Sequence, residues 1–321
     1  MIVGLPFDNK SGKIFTSINE IDFSKLDGCF RIQDNNTLIT DYSGFIPSYY
    51  DLRNKKLIHN EGYEFYNNSY TPIPDGVIMD LSNGSMNYYS SSKDIDNIFE
   101  YFEDWFAMMY GIISSEYSNV VLSLTMGLDS RYLLAILLSR GIQPKCTTWG
   151  DEGVRTIKTF ADYDVTLYDV KLNRLKKYKE YSSYYKSCNY KNWSVEFFVY
   201  IYYSMLIQNN IDVIVEGLGR NYYCTSPRIC NSYDIQEIRT SFTCGRIPHI
   251  LKNNIKPFYP YACKDIRYNL RRLNISENEM VTLIHERIKK LNPKLSELVT
   301  TSYEKADVTE RLLKNEYSKF F

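Results

Sequence analysis

The stretch Thr125-Met126-Gly127-Leu128-Asp129-Ser130 gathers two hydroxyls, a carboxylate and a glycine in very apolar surroundings. It follows a run that reads as a buried strand, "NVVLSL" (119–124). It precedes a helical pattern from Ser130 to Arg140, which Gly141 stops in the C′ position. A helix N-terminus presents free N–H groups and the positive end of a dipole, which attract phosphate. Gly127 lets the backbone come close to an anion, and the hydroxyls of Thr125 and Ser130 can donate to it. A carboxylate repels phosphate unless a cation lies between them, so Asp129 implies Mg²⁺. The chemistry these residues point to is nucleotide binding through a pyrophosphate. The same six residues also fit an ordinary strand-to-helix connection with a helix-capping aspartate.

The surrounding elements decide what such a turn can face. Upstream, Ile95, Ile98, Phe99, Phe102, Phe106, Met109 and Ile113 recur at helical spacing, with Ser92 placed as N-cap. Downstream, "PKCTTW", "VTLYDVK" and "DVIVEG" continue as strand candidates between helices. This alternation predicts a parallel sheet covered on both faces. In such a sheet ligands bind outside the carboxyl ends of the strands, which is where the turn lies. Residues 12 to about 66 read instead as an antiparallel meander ("GCFRIQD", "TLITDY", "PSYYDL", "LIHNE"), and about 67–92 as a connection. The last third, from about 232, reads as helical with breaks at Pro248, Pro257, Pro260 and Pro293.

Composition narrows the function classes. Lysine plus arginine equals aspartate plus glutamate at 38 each, so no global charge steers nucleic acid or an anionic membrane. The basic, tyrosine-rich stretch 171–193 reads as a solvated helix face before it reads as a nucleic-acid patch. No run approaches a spanning helix of about 18 apolar residues, and the N-terminus lacks the pattern of a signal peptide. Seven cysteines without a C-x-x-C pair fit reduced thiols in a cytoplasmic protein. His59, His249 and His285 are too far apart in sequence to share a helix face, so a zinc site is not expected. With 30 tyrosines in the chain, no single one carries a chemical signal.

The turn resembles the PP-loop of the ATP pyrophosphatases, whose pattern is Ser-Gly-Gly-x-Asp-Ser. The longer string "LSLTMGLDSRYLLAIL" is similar to the synthetase domain of asparagine synthetase and its relatives, including β-lactam synthetase and lasso-peptide cyclases. "CTTWG" (146–150) sits where that family has a second strand and a loop bordering adenine. "VIVEGLGRNYY" (213–223) is similar to its later strand and glycine loop, and "IKPFYPYACKDIRYNL" (255–270) to its Pro-Phe segment and following helix. The resemblance spans about residues 95–275. It implies an α/β fold of the PP-loop ATP pyrophosphatase type (adenine nucleotide α-hydrolase-like), a parallel sheet flanked by helices over 92–321. Residues 1–75 resemble a reduced antiparallel β domain of the glutaminase (Ntn) type.

The resemblance also implies a site. ATP would lie against Ser123, Thr125, Met126, Gly127, Leu128, Asp129, Ser130, Thr148, Gly150, Gly217 and Gly219, with Mg²⁺ on Asp129 and Asn221. Two departures stand out. Met126 occupies the loop's first glycine, and its side chain can be turned away. Asn221 replaces the family's second metal-holding aspartate, so it brings a ligand oxygen without charge; the neighbouring Arg220 can meet phosphate or a carboxylate with its guanidinium fork. Lys305 is placed as the family's catalytic lysine. Ile2 stands where a glutaminase has its nucleophilic cysteine, so an amine or ammonia is expected from solution or from a partner glutaminase.

The expected activity is ATP-dependent amide formation, in which a carboxylate is adenylated with release of pyrophosphate and an amine then attacks. The alternative is a nucleotide-binding pseudoenzyme or scaffold with a degenerate magnesium site. A sulfur transferase or RNA-modifying enzyme is a third class, against which the missing C-x-x-C and the neutral charge weigh.

Overall fold

A computed structural model describes residues 1–42, 46, 48–51, 54, 56–59, 70–73, 76–89, 92–168, 193–217 and 254–298. Its C-terminal part is built on five parallel strands: β9 (Val120–Ser123), β10 (Lys145–Trp149), β11 (Val165–Tyr168), β12 (Val213–Glu216) and β13 (Lys256–Phe258). They lie in the order β11-β10-β9-β12-β13. The chain therefore winds outward one way from β9 to β11, then returns to place β12 on the other side of β9. In open α/β sheets the carboxyl ends of the strands at such a reversal, here between β9 and β12, are where a ligand crevice is expected.

Register separates the two faces of the sheet. Leu122 is paired with Cys146 and Val215, and the next residue up, Ser123, with Thr147 and Glu216. The apolar row joins one core with α1 (Ile98–Glu116) and α2 (Leu128–Ser139). The polar row faces the opposite way, towards α4 (Trp193–Gln208), where Tyr203 Oη donates to Glu216 at 2.8 Å and Tyr202 Oη lies 2.6 Å from Thr147 Oγ1. Strands covered on both faces need continuous apolar sequence, which explains why "NVVLSL" does not alternate.

Helix α1 starts later than the sequence predicts. Asn97, not Ser92, is the N-cap, its side chain accepting from Glu100 N. A long-range tether explains the delay. Asn269 Oδ1 accepts from Ile95 N at 2.9 Å and Asp265 from Lys93 N at 3.3 Å, so residues 93–95 hydrogen-bond to α5 (Lys264–Arg272) instead of forming a first turn. Helix α2 starts earlier, at Leu128, because Gly127 takes the N-cap place. It is buried nearly all round, wedged between α1, β9 and α6 (Glu277–Leu291). The remaining helices are α3 (Gly150–Thr159) and α7 (Pro293–Glu297). Gly141, at φ +74°, ends α2 in the left-handed conformation expected of a C′ glycine.

One buried ionic group ties α1, α2 and α6 together. The Glu103 carboxylate accepts from Arg287 at 2.7 and 2.6 Å and from Tyr132 Oη at 2.7 Å. Removing one partner of a buried pair strands the other charge. Arg287→Ala is expected to lower stability by about 3–5 kcal/mol, read from a urea unfolding midpoint. The apolar double variant Glu103→Leu/Arg287→Met should recover most of that loss; equal loss in both would mean the cost lies in packing.

The N-terminal part is a five-stranded antiparallel sheet in the order β1-β2-β3-β7-β8, with a three-stranded sheet β5-β4-β6 beside it in sequence. Their bounds are β1 (Ile2–Asp8), β2 (Leu26–Asp34), β3 (Thr37–Thr40), β4 (Ser48–Asp51), β5 (Lys56–His59), β6 (Tyr70–Pro72), β7 (Val77–Asp80) and β8 (Met86–Tyr88). Three of these strands, β6 to β8, fall in the stretch that the sequence reads as a connection, so the first sheet runs past residue 75. The sheet docks directly on the parallel one. Leu5 and Phe7 of β1 enter the core of α1 and α2, and the Phe7 ring lies 5.9 Å from Phe258 of β13, edge-on at 86°. Among the described residues no helix is long and apolar enough to cross a membrane.

Candidate functional site

The strand reversal between β9 and β12 is bordered by the Thr125–Ser130 turn. Leu124 N extends the strand pairing by one bond, donating to Thr147 O at 2.8 Å, and the chain then bends. Hydroxyls shape the bend. Thr125 N donates to Ser130 Oγ at 3.0 Å, Gly127 N donates to Thr125 Oγ1 at 3.1 Å, and the two hydroxyl oxygens are 3.2 Å apart. Thr125 and Ser130 thus close the turn on itself, a role beyond the anion donation their chemistry suggested. Gly127 adopts an ordinary extended conformation (φ −70°, ψ 156°) and, as N-cap, brings no side chain over the first turn of α2. The amides that begin a helix have no partner within it, and the N-cap here supplies no side-chain bond to them. Asp129 lies in that first turn.

Met126 does not stand in a phosphate path. Its side chain is 3% exposed and belongs to the core of α1 and α2. Its carbonyl accepts from Arg131 Nη2 at 3.3 Å. Arg131 is fully buried; its other terminal nitrogen donates to Leu295 O at 3.2 Å and Leu298 O at 2.7 Å, and its guanidinium sits 5.5 Å from the centre of the Phe160 ring. Burial draws its pKa down to about 10. Arg131 therefore fastens the turn to the end of α7.

Two further elements hold the turn from outside. Tyr261, in the short 3-10 turn Pro260–Ala262 between β13 and α5, donates its hydroxyl to Asp129 O at 3.1 Å, and its ring stacks on Phe102 at 4.9 Å. Gly217, directly after β12, packs against the start of α2. A Cβ there would come 2.8 Å from Ser130 N and 3.0 Å from Asp129 C, both backbone atoms. Only glycine permits this approach, so the loop after β12 and the N-terminus of α2 share one surface.

The other residues singled out by sequence are placed as follows. Ser123 is buried in the polar row with Thr147 and Glu216, on the side of the sheet that faces α4. Thr148, buried in β10, turns to α3, where its side chain lies 3.3 Å from the position of a Cβ on Gly153; Thr147 is the threonine level with Ser123. Leu128 is buried in the core. Gly150 opens α3 at φ +72°. Gly219, Arg220, Asn221 and Lys305 lie outside the described residues, as does the basic stretch 171–192. Sequence reasoning missed Arg131, Tyr261, Thr147 and Glu216. Glu216 had one legible signal, a carboxylate ending a wholly apolar strand; a lone arginine in a helix and one tyrosine among many had none.

The donor set fits magnesium carried by a polyphosphate. Among the described residues no group of three His, Cys, Asp or Glu is placed to hold a metal. One carboxylate beside hydroxyls and helix amides is the arrangement in which Mg²⁺ keeps waters and takes its remaining ligands from phosphate. The topology defines an open α/β protein with a parallel sheet and flanking helices, and this turn lies beside its strand reversal. No family model matches the chain, and no curated protein matches it.

Proposed function

We propose that the chain is an ATP-dependent carbon–nitrogen ligase that adenylates a carboxylate and delivers it to an amine or ammonia. The observation that carries this reading is the position of the Thr125–Ser130 turn, a bare helix N-terminus with one carboxylate at the reversal between β9 and β12, closed from the other side by Gly217. The resemblance to asparagine synthetase-like PP-loop enzymes supplies the reaction.

In that reaction a carboxylate oxygen attacks the α-phosphorus of ATP and the bond to pyrophosphate breaks. The amine nitrogen then attacks the acyl carbon, the acyl C–O bond breaks as AMP leaves with the oxygen and the electron pair, and the nitrogen loses a proton. Magnesium would neutralise charge on the departing pyrophosphate. The α2 amides would receive phosphate oxygens, and Asp129 would hold the ion, with Asn221 as a second, neutral ligand. Because Thr125 and Ser130 already brace the turn, it is pre-formed for charge that develops in the transition state. Arg220 and Lys305 are the proposed stabilisers of the reacting intermediate. The partners of this reading are a small-molecule or peptide carboxylate, an amine and, where ammonia is the nucleophile, a partner glutaminase; the proposed compartment is the cytoplasm.

Carboxylate-dependent exchange of radiolabelled pyrophosphate into ATP tests the proposal. A panel of amino, peptide and sugar acids should reveal at least one acid that drives exchange, and Asp129→Ala should lower it by at least about 100-fold, as for loss of a principal charge-stabilising group. Nucleotide binding without exchange for any acid would favour the pseudoenzyme. Exchange that needs RNA or a sulfur donor would point to the third class.

A further inference from the structure

The N-terminal β unit reaches the candidate site through a short chain of contacts. Asp27 of β2 is 2% exposed, and both of its carboxylate oxygens accept from Lys264 N, at 3.0 Å each; one also accepts from Gly28 N at 2.8 Å. Lys264 is the first residue of α5, whose own cap, Cys263, offers no side-chain bond. A residue of one sheet therefore caps a helix of the other part. Asn9 reinforces the seam by donating to Asp265 at 3.1 Å, and Arg267 donates to Tyr42 O. Three residues before Lys264, Tyr261 donates to Asp129 O, with its ring fixed on Phe102.

We propose that the N-terminal β unit positions the Asp129 turn, with Asp27 and Tyr261 as the positioning residues: Asp27 anchors the start of α5, and Tyr261 passes that placement to the backbone of α2. The functional half of this inference rests on the turn being a nucleotide site; the structural half does not.

The relay carries a pH signature. Burial pushes the Asp27 carboxyl up to about 7, against the two amide donors that favour its charged form. Lys264 and Asp265 face it from α5, Cys263 from the preceding segment and Tyr101 from α1, while Cys29 and Asp41 of the N-terminal unit gather round the same Cys263 thiol. Burial holds the Tyr101 hydroxyl at about 12 and the Cys263 thiol well above its ordinary value, so neither changes charge near neutrality. Because the carboxyl's pKa is raised on folding, the stability it contributes is present at low pH and is lost as pH rises through about 7. Ionising a carboxyl so fully buried costs desolvation, to which Asp265 adds a smaller repulsion, and this loosens the seam.

Amide hydrogen exchange on the nucleotide-free chain tests the relay. After correction for intrinsic rates, protection of residues 125–131 should fall about fivefold, the weight of one hydrogen bond, as pH rises from about 6 to about 8. Asp27→Asn keeps an acceptor for Lys264 N; it should hold low-pH protection and abolish the pH step. Tyr261→Phe should abolish the step at 125–131 while leaving it at the start of α5, with α6 unchanged throughout. A step at residues 125–131 that survives in either variant, or one shared by α6, would overturn the proposal. Affinity for a magnesium-bound, non-hydrolysable ATP analogue, measured on the same proteins, should follow the same steps. Absence of analogue binding with the exchange pattern intact would remove the nucleotide reading and keep the relay.

Discussion

Replacing Arg131 with methionine is expected to lower the unfolding free energy by about 3–5 kcal/mol, because it leaves buried carbonyls without the donors they now share. Its guanidinium reaches Met126 O, Leu295 O and Leu298 O from a side chain with no solvent exposure. Methionine keeps much of the length and the contact with Phe160, so the loss would report hydrogen bonds more than volume. Each orphaned buried acceptor costs about 1–3 kcal/mol. Urea denaturation gives the magnitude, and hydrogen exchange gives the place: residues 294–298 and 125–128 should lose protection together. A loss below about 1 kcal/mol would mean that water replaces the guanidinium without cost and that the turn is not fastened to α7 through it.

Gly217→Ala should have a large effect on ligand affinity. The added methyl would press on Ser130 N, Asp129 C and Ser130 Cα, at 2.8, 3.0 and 3.2 Å. All three are backbone atoms of the α2 start, so relief requires the loop after β12 and the helix N-terminus to move apart. Such overpacking costs about 1–3 kcal/mol in stability. It should cost more than tenfold in affinity for the magnesium-bound ATP analogue, since a displaced donor loses the net worth of a charge-assisted hydrogen bond. Gly111→Ala is the matched control. Gly111 lies on the exposed side of α1, and a new Cβ there meets no atom within 4 Å. Equal effects of the two substitutions would show that glycine content, and not the approach of β12 to α2, sets the site.

The parallel core was legible because its sequence signal is local. Four of its five strands fall within the runs 119–124, 144–149, 165–171 and 212–217 that the pattern picks out. The fifth, β13, is Lys-Pro-Phe, paired with β12 at the edge of the sheet. Proline is tolerated there because an edge strand has one side without a ladder, but three residues carry no periodicity. Only the resemblance of residues 255–270 pointed to them.

Strand β1 hid for a different reason. Its sequence, Ile-Val-Gly-Leu-Pro-Phe-Asp, contains a glycine and a proline that usually signal a turn. Here Gly4 (φ +90°) and Gly28 (φ +116°) let β1 and β2 approach so closely that a Cβ on either would meet a facing carbonyl oxygen at about 2.2 or 2.1 Å. The glycines belong to the pairing, which a single strand cannot reveal. The start of α1 was misplaced by the same kind of cause, since Asn269, 174 residues away from Ile95, decides where the helix begins.

The position of the turn between a strand and a helix was readable, because glycine, hydroxyls and aspartate there suit a ligand-binding turn and an ordinary capped connection alike. Its supports were not. Tyr261 comes to Asp129 from 132 residues away, and Arg131 meets Leu295 across 164. Neither type nor spacing foretells such contacts; only the strand order brings them together.

The central claim is that magnesium-bound ATP sits on the Thr125–Ser130 turn. Titration calorimetry of the purified chain with a non-hydrolysable ATP analogue, with and without magnesium, tests it most directly. One saturable site that needs magnesium, weakened at least tenfold in a folded Asp129→Ala variant, is the predicted result, in line with loss of a carboxylate–cation contact worth a few kcal/mol. Binding of the same strength in that variant, or binding indifferent to magnesium, would contradict the account.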